Sequence, residues 1–288
     1  MHSLILLSLI WPQPQSPAAL ESRIRSLIAG SGAEVALAYR TLDRRSELLI
    51  DPDKSFHAAS TMKVPLMIEL FRQAQAGELT LDDPLPIRNE FRSIVDGSSY
   101  KLTDGDDSDR EVYANTGKTM TLRALNEAMI TVSSNFATNL MIEKLGVEKI
   151  RATVDRLGAD GMKVLRGVED SKAFEKGMNN STTARGLLVL LEKLARGEAV
   201  SAAADRDMIE VLKRQKFNDA IPAGLPAGTP VAHKTGNITR IQHDAGIVYG
   251  PRPYVIVVLV RGIDDEKKSK NLIAGISRAV WEHTASLE

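Results

Sequence analysis

The sequence predicts an α/β protein in which one antiparallel sheet is assembled from both ends of the chain and a helical lobe is inserted between its halves. Three observations lead there. Strand-like segments lie near both termini, helix-period patterns fill the middle, and an amphipathic helix stands at each end. With 288 residues, 43% of them hydrophobic, the chain can bury a large core as one domain or as two packed lobes.

Following Pro17, Leu20, Ile24, Leu27 and Ile28 recur at helical spacing and the pattern stops at Gly30, which predicts the first helix. Glu34 to Leu42 and Ser46 to Ile50 are apolar strand segments separated by the polar turn Asp43-Arg44-Arg45, a hairpin signature. From Ser60 to about Gly197 the pattern is helical. Leu122, Leu125, Met129 and Val132 share one face and Leu187, Leu190, Leu191 and Leu194 another, with breaks at Gly77, Gly146, Gly158 and Gly197. Past Pro230 strands return as Val231 to Thr235, Gln242 to Tyr249 and Tyr254 to Val260, the last two joined by Gly250-Pro251-Arg252-Pro253. A closing helix follows from the stripe Ile273, Ile276, Val280 and Trp281, with Asp264 and Asp265 suited to its N-terminus. On this reading residues 20–56 and 200–288 form the sheet lobe and residues 57–199 the helical lobe.

Composition removes several classes of function. Lysine plus arginine and aspartate plus glutamate both number 37, so no net field draws the chain to nucleic acid or to an anionic membrane surface. Neither a nucleic-acid partner nor stable membrane insertion is expected, and the chain is expected to act as a monomer. The absence of cysteine excludes a thiolate nucleophile, a disulfide framework and a cysteine-ligated metal. Five scattered histidines without a His-x-x-x-His pair give no argument for zinc. The acidic run Asp104, Asp106, Asp107 and Asp109 lacks the glycine and glutamate of a calcium loop and reads as solvated. Neither metal nor organic cofactor is expected.

Leu4 to Ile10 is apolar but too short to span a bilayer, and a Pro- and Gln-rich stretch follows it. With Ala18 and Ala19 near a cleavage point, residues 1–19 read as a secretory signal peptide or an apolar N-terminal arm, although only His2 stands where a basic region belongs. Periplasmic or secreted localisation is the expectation.

The chemical argument begins at His57-Ala58-Ala59-Ser60-Thr61-Met62-Lys63, which runs into a helical pattern through Leu66, Leu70 and Phe71. Three residues apart at a helix start, the Ser60 hydroxyl and Lys63 amine share a face within hydrogen-bond reach. A lysine whose pKa is lowered can take the proton that makes a serine nucleophilic, and the helix N-terminus favours a developing oxyanion. Alone the pair is weak, and Ser60 could be a helix cap. Two further motifs stand at long spacing: Ser133-Ser134-Asn135 ahead of the helical run Phe136 to Leu145, and Lys234-Thr235-Gly236 on a strand. Ser133 and Asn135 could be caps, Lys234 an exposed strand lysine and Gly236 a bulge, but their joint occurrence with Ser60 and Lys63 points to chemistry.

In this order the three motifs resemble those of the class A serine β-lactamases and their penicillin-binding relatives, S-x-x-K, S-D-N and K-T-G. The resemblance runs from about Leu20 to the last helix and includes Asn139, Gly146, Thr182-Thr183-Ala184 and the strand beginning His243-Asp244. It implies a β-lactamase-like two-lobed fold, an antiparallel sheet flanked by terminal helices plus an inserted all-helical lobe, with the site between them. It also implies Ser60 as nucleophile, Lys63 or a glutamate acting through water as its base, and Ser133 as proton donor to the departing amine. Asn135 would hold the acyl side chain, and Lys234 and Thr235 the substrate carboxylate. The N–H groups of Ser60 and Asn237 would face the oxyanion, with Gly236 letting substrate approach the strand edge. The implied substrate is a β-lactam or peptidoglycan-like small molecule. A D-alanyl-D-alanine peptidase, an esterase and a non-turnover penicillin-binding or sensor module remain alternatives.

Two departures stand out. Ser134 occupies the place of the motif's aspartate, which in the family is structural and points away from substrate. The family's deacylating glutamate lies in an E-x-x-L-N pattern, whereas here Arg166-Gly167-Val168-Glu169-Asp170 is followed by Phe174-Glu175-Lys176-Gly177-Met178-Asn179. Glu175 matches the spacing, Glu169 the distance back from Thr182-Thr183; the loop length favours Glu169. Adjacent His243 and Asp244 point to opposite faces of a strand and cannot form a serine relay.

Overall fold

The computed structural model describes residues 16–287, so the apolar run Leu4 to Ile10 of the expected signal peptide lies outside the described residues. Helix α1 (Pro17–Ser31) begins at an Ser16 N-cap with Pro17 in its first turn and ends at Gly32 in the left-handed region, slightly past the expected stop at Gly30. Strands β1 (Glu34–Thr41) and β2 (Glu47–Ile50) form the predicted hairpin.

The chain then leaves the sheet through β3 (Phe56–His57), the 3₁₀ turn Ala59–Met62 and α2 (Lys63–Gln75). Short strands β4 (Pro84–Pro86), β5 (Phe91–Arg92) and β6 (Ser99–Tyr100) precede the small helix α3 (Glu111–Ala114) in the chain, and β7 (Thr119–Thr121) follows it. Helices α4 (Leu122–Thr131), α5 (Asn135–Leu145) and α6 (Val147–Leu157) follow, then α7 (Ser171–Glu175), β8 (Ser181–Thr182) and α8 (Ala184–Arg196). Thr121, Ser134 and Thr183 cap α4, α5 and α8 through their hydroxyls, which explains where these helices start. The inserted lobe is therefore helical in mass but carries three small strand pairs, β3–β8, β4–β7 and β5–β6. Helix α9 (Ala202–Lys213), from the stretch assigned to the sheet lobe, packs on α8 and α4 as well as on β9 (Val231–Ile238).

Strands β10 (Ile241–Val248) and β11 (Tyr254–Arg261) complete the sheet, and α10 (Glu266–Ala285), capped by Asp265, closes the chain. The sheet has the order β2-β1-β11-β10-β9 with every pairing antiparallel. Both faces are covered, which accounts for the unbroken apolar run of β11. Tyr254, Ile256, Val258 and Val260 join Leu20, Ile24, Ile276 and Val280 under α1 and α10, while Val255, Val257 and Leu259 face Leu66, Leu187 and Leu191 of the helical lobe. Strand β9 is left at an edge, and it runs three residues beyond the expected Thr235 because Gly236, Asn237 and Ile238 pair with His243, Gln242 and Ile241. That edge faces the 3₁₀ turn bearing Ser60.

Candidate active site

Ser60 lies within the 3₁₀ turn rather than in α2 itself, and Lys63 is the first residue of the α-helix. Ala59, just before the nucleophile candidate, has φ +45°, a strained conformation for a residue with a side chain. It is held by its N–H, which donates to His57 Nδ1 at 3.0 Å, and by the adjacent bond from Thr61 N to Ala58 O. Gly236 is required opposite: a Cβ there would stand 3.1 Å from Ser60 N and 3.2 Å from Thr61 N. The edge of β9 thus packs directly on the Ser60 amide, with Asn237 next along the strand.

Lys63 is fully buried, and its amine donates to Ser133 O at 2.6 Å, Ser133 Oγ at 3.1 Å and Asn135 Oδ1 at 2.9 Å. Contrary to the spacing argument, no hydrogen bond joins the Ser60 hydroxyl to the Lys63 amine among the described residues; the Lys63 backbone N–H donates to Ser60 O where the turn changes from 3₁₀ to α, and the second motif takes the amine. Burial brings the Lys63 pKa down to about 7 against the opposing attraction of Asp107 and Glu169. Lys234, also fully buried, donates to Ser133 Oγ at 3.1 Å and Thr235 O at 2.9 Å. Burial first, and then the Lys63 charge, push its pKa well below the usual lysine value. Ser133, at φ +61°, therefore sits as one hydroxyl between two amines.

Asn135 connects this group to the loop, since its Nδ2 donates to Glu169 Oε1 at 3.1 Å while its Oδ1 accepts from Lys63. Glu169 has φ +60°, and the backbone before it is clamped by the buried Asn139, which accepts from Val168 N at 2.7 Å and donates to Val168 O at 3.0 Å. Asn180 binds Leu165 N and both backbone groups of Arg166, and Arg166 reaches Met178 O and Asn179 Oδ1. Glu175, by contrast, ends α7 exposed and away from the cleft. The cleft holds about 440 Å³ and is lined by His57, Ser60, Asn135, Glu169, Phe174 and Asn237 among others.

Arg240 turns from the cleft, donating to Gly262 O at 3.0 Å and pairing with Asp264 at 3.1 Å. His243 and Asp244 separate as expected. Asp244 binds His233 at 2.9 Å and Ile221 N at 2.9 Å, whereas His243 faces His57 O at 2.9 Å. Two residues escaped the sequence reading. His57 supports the Ser60 turn, and its position inside the first motif was a signal that could have found it. Asp107, dismissed with its acidic run as solvated, accepts from Phe136 N at 2.8 Å and Ser134 Oγ at 3.2 Å; no sequence signal ties it to the second motif.

Taken together, a serine at a strained turn and a clamped carboxylate line one cleft, and Asn135, which lines it too, bonds to a neutralisable buried amine that shares the Ser133 hydroxyl with a second amine. Such a set can move protons to and from an acyl centre without moving backbone. The model of the beta-lactamase enzyme family matches residues 19–284. A beta-lactamase of Bacteroides uniformis is 26% identical over an alignment of 283 positions that covers 93% of this chain and 92% of the relative. Among solved structures, a mutant of PBP-A captured as an acyl-enzyme complex with penicillin G is similar with a TM-score of 0.82 and 27% identity, covering 96% of this chain and 100% of that one. An ancestral (GNCA) class A beta-lactamase gives a TM-score of 0.79 at 25% identity over 91% of this chain and 99% of its own.

Proposed function

The chain belongs to the beta-lactamase enzyme family, and on that premise we propose that it is a class A-like serine β-lactamase working through a Ser60 acyl-enzyme. The observation that carries this reading is the buried Lys63 amine, brought down to about 7 and so able to lose its proton near neutral pH, bonded to Ser133 and to Asn135, which lines one cleft with Ser60 and Glu169.

In the first half-reaction Ser60 Oγ bonds to the lactam carbonyl carbon. Its proton passes to Lys63, or to Glu169 through a water. The carbonyl oxygen takes up negative charge facing the N–H groups of Ser60 and Asn237. Collapse of this intermediate breaks the C–N bond, and the nitrogen takes a proton from Ser133, whose hydroxyl is replenished by the amines on either side. Lys234 and Thr235 hold the substrate carboxylate, and Asn135 the acyl side chain. In the second half-reaction Glu169 deprotonates a water that attacks the ester, and Ser60 leaves with a proton. One water is consumed and the ring stays open.

A second reading has specific support. The likeness to PBP-A, and Ala173 rather than asparagine four residues after Glu169, favour a penicillin-binding protein, peptidase or esterase that acylates but releases slowly. Intact-mass spectrometry during incubation with benzylpenicillin, with nitrocefin absorbance in parallel, separates the two. A transient adduct with turnover, lost in Ser60→Ala and trapped in Glu169→Gln, is the expected result. A stable adduct without turnover supports the second reading, and no adduct defeats both. The same reading holds residues 20–288 to be the catalytic domain, acting as an exported monomer, which fractionation and light scattering test.

A further inference from the structure

The second motif lacks its carboxylate, yet a carboxylate occupies its surroundings. Ser134 is fully buried and caps α5 by accepting from Ala137 N at 3.2 Å, while its own hydroxyl proton goes to Asp107 Oδ2 at 3.2 Å. The same oxygen accepts from Phe136 N at 2.8 Å. Asp107 thus holds the residues on both sides of Asn135, the side chain that joins Lys63 to Glu169. Its other oxygen accepts from Asp109 N at 3.2 Å, which fixes the carboxylate to its own loop.

A hydroxyl at position 134 satisfies one orphan N–H of α5 but supplies no charge. Beside it lie the positive end of α5, Lys63 and Lys234, and Ser133 must be kept at a positive φ. A carboxylate at this point offsets the charge of Lys63 and adds charge-assisted bonds to the turn. We propose that Asp107 supplies, from the facing loop, the carboxylate missing at Ser134, and that it is a positioning residue for Ser133 and Asn135 around the Lys63 amine. The proposal rests on the acyl-enzyme reading above. Asp107 also acts on Lys63 through space, since its charge opposes the lowering of the lysine pKa by burial.

The test compares wild type, Asp107→Asn, and the exchange of Asp107→Ser with Ser134→Asp, following Ser60 acylation by benzylpenicillin across pH. In Asp107→Asn acylation slows about tenfold or more, the scale of a lost bond to a charged group. The pH at which acylation is half-maximal also moves down, because an attractive charge on Lys63 is gone. The exchange restores most of the rate and returns the midpoint. An Asp107→Asn protein that reacts like wild type overturns the proposal. Slowing with an unmoved midpoint and no recovery in the exchange also overturns it, since a merely structural loop contact would behave that way. Should Asp107→Asn not fold, the exchange decides alone: folded and reactive supports the transfer of the carboxylate, folded and unreactive refutes it. Absence of any adduct in the wild type removes the acyl-enzyme reading and this inference together, an outcome distinct from the others.

Discussion

Lys63 and Glu69 are carried by the same helix, both with no exposed surface, and their charges are treated in opposite ways. Around Glu69, inside the helical lobe, donors converge: Arg72 makes two bonds at 2.7 and 2.9 Å, Gln73 one at 2.7 Å and Thr153 one at 2.7 Å. Burial pushes the Glu69 carboxyl up, but those bonds together outweigh it and hold it below the usual value. Among the described residues the Lys63 amine meets only neutral oxygens within bonding distance, its anionic neighbours Asp107 and Glu169 act from further off, and burial wins. A compensated buried charge is a structural fastener, whereas an undercompensated one is left able to change its protonation state near neutral pH.

The largest test of this contrast is Lys63→Arg. A guanidinium keeps the positive charge but cannot give up its proton, so Ser60 acylation should fall by about a thousandfold in single-turnover measurements. Undiminished acylation would transfer the base role to Glu169. Glu69→Ala probes the other side, because it leaves Arg72, Gln73 and Thr153 without their acceptor. About 3 kcal/mol of stability should be lost in urea unfolding, at the low end for a buried pair because Arg72 still reaches Glu78. Acylation per folded molecule should be unchanged, and a loss there would show that the two groups are not separate.

The pH dependence sharpens the same point. Only the neutral amine accepts a proton, so acylation should rise with pH through about 7. Stability follows with a definite sign: between about 7 and the ordinary 10.5 the unfolded chain binds the extra proton, so stability should increase with pH across that window. Lys63→Met should reduce that slope in urea titrations at several pH values, leaving the part that the buried Lys234 contributes. The smallest expected effect is Glu175→Gln, which should leave both acylation and adduct release as in wild type. Its carboxylate is exposed at the end of α7, outside the cleft.

Much of this was legible in the chain. Apolar periodicity locates the sheet at the two ends and the helices between, because burial on one face or two imposes a period that tertiary structure cannot alter. The Ser60, Ser133 and Lys234 motifs are local strings whose residue types are demanded by acyl transfer, and they were found without knowing how they meet. What remained out of reach were contacts between segments. The Lys63 amine bonds to Ser133 and Asn135 instead of the Ser60 hydroxyl, because the chain enters α2 through a 3₁₀ turn and the start of α5 lies within reach of the amine.

The sequence by itself determined which residue types are available for proton transfer and in what order they occur, since chemistry depends on side-chain identity. Only the tertiary structure placed Glu169, and not Glu175, beside Asn135, by clamping Val168 with Asn139. The tertiary structure alone, too, brought Asp107 to a motif that lacks its aspartate, and set the burial that carries Lys63 down to about 7. Electrostatics is fixed by distance and exclusion of water, and neither is written in the spacing of residues along a chain.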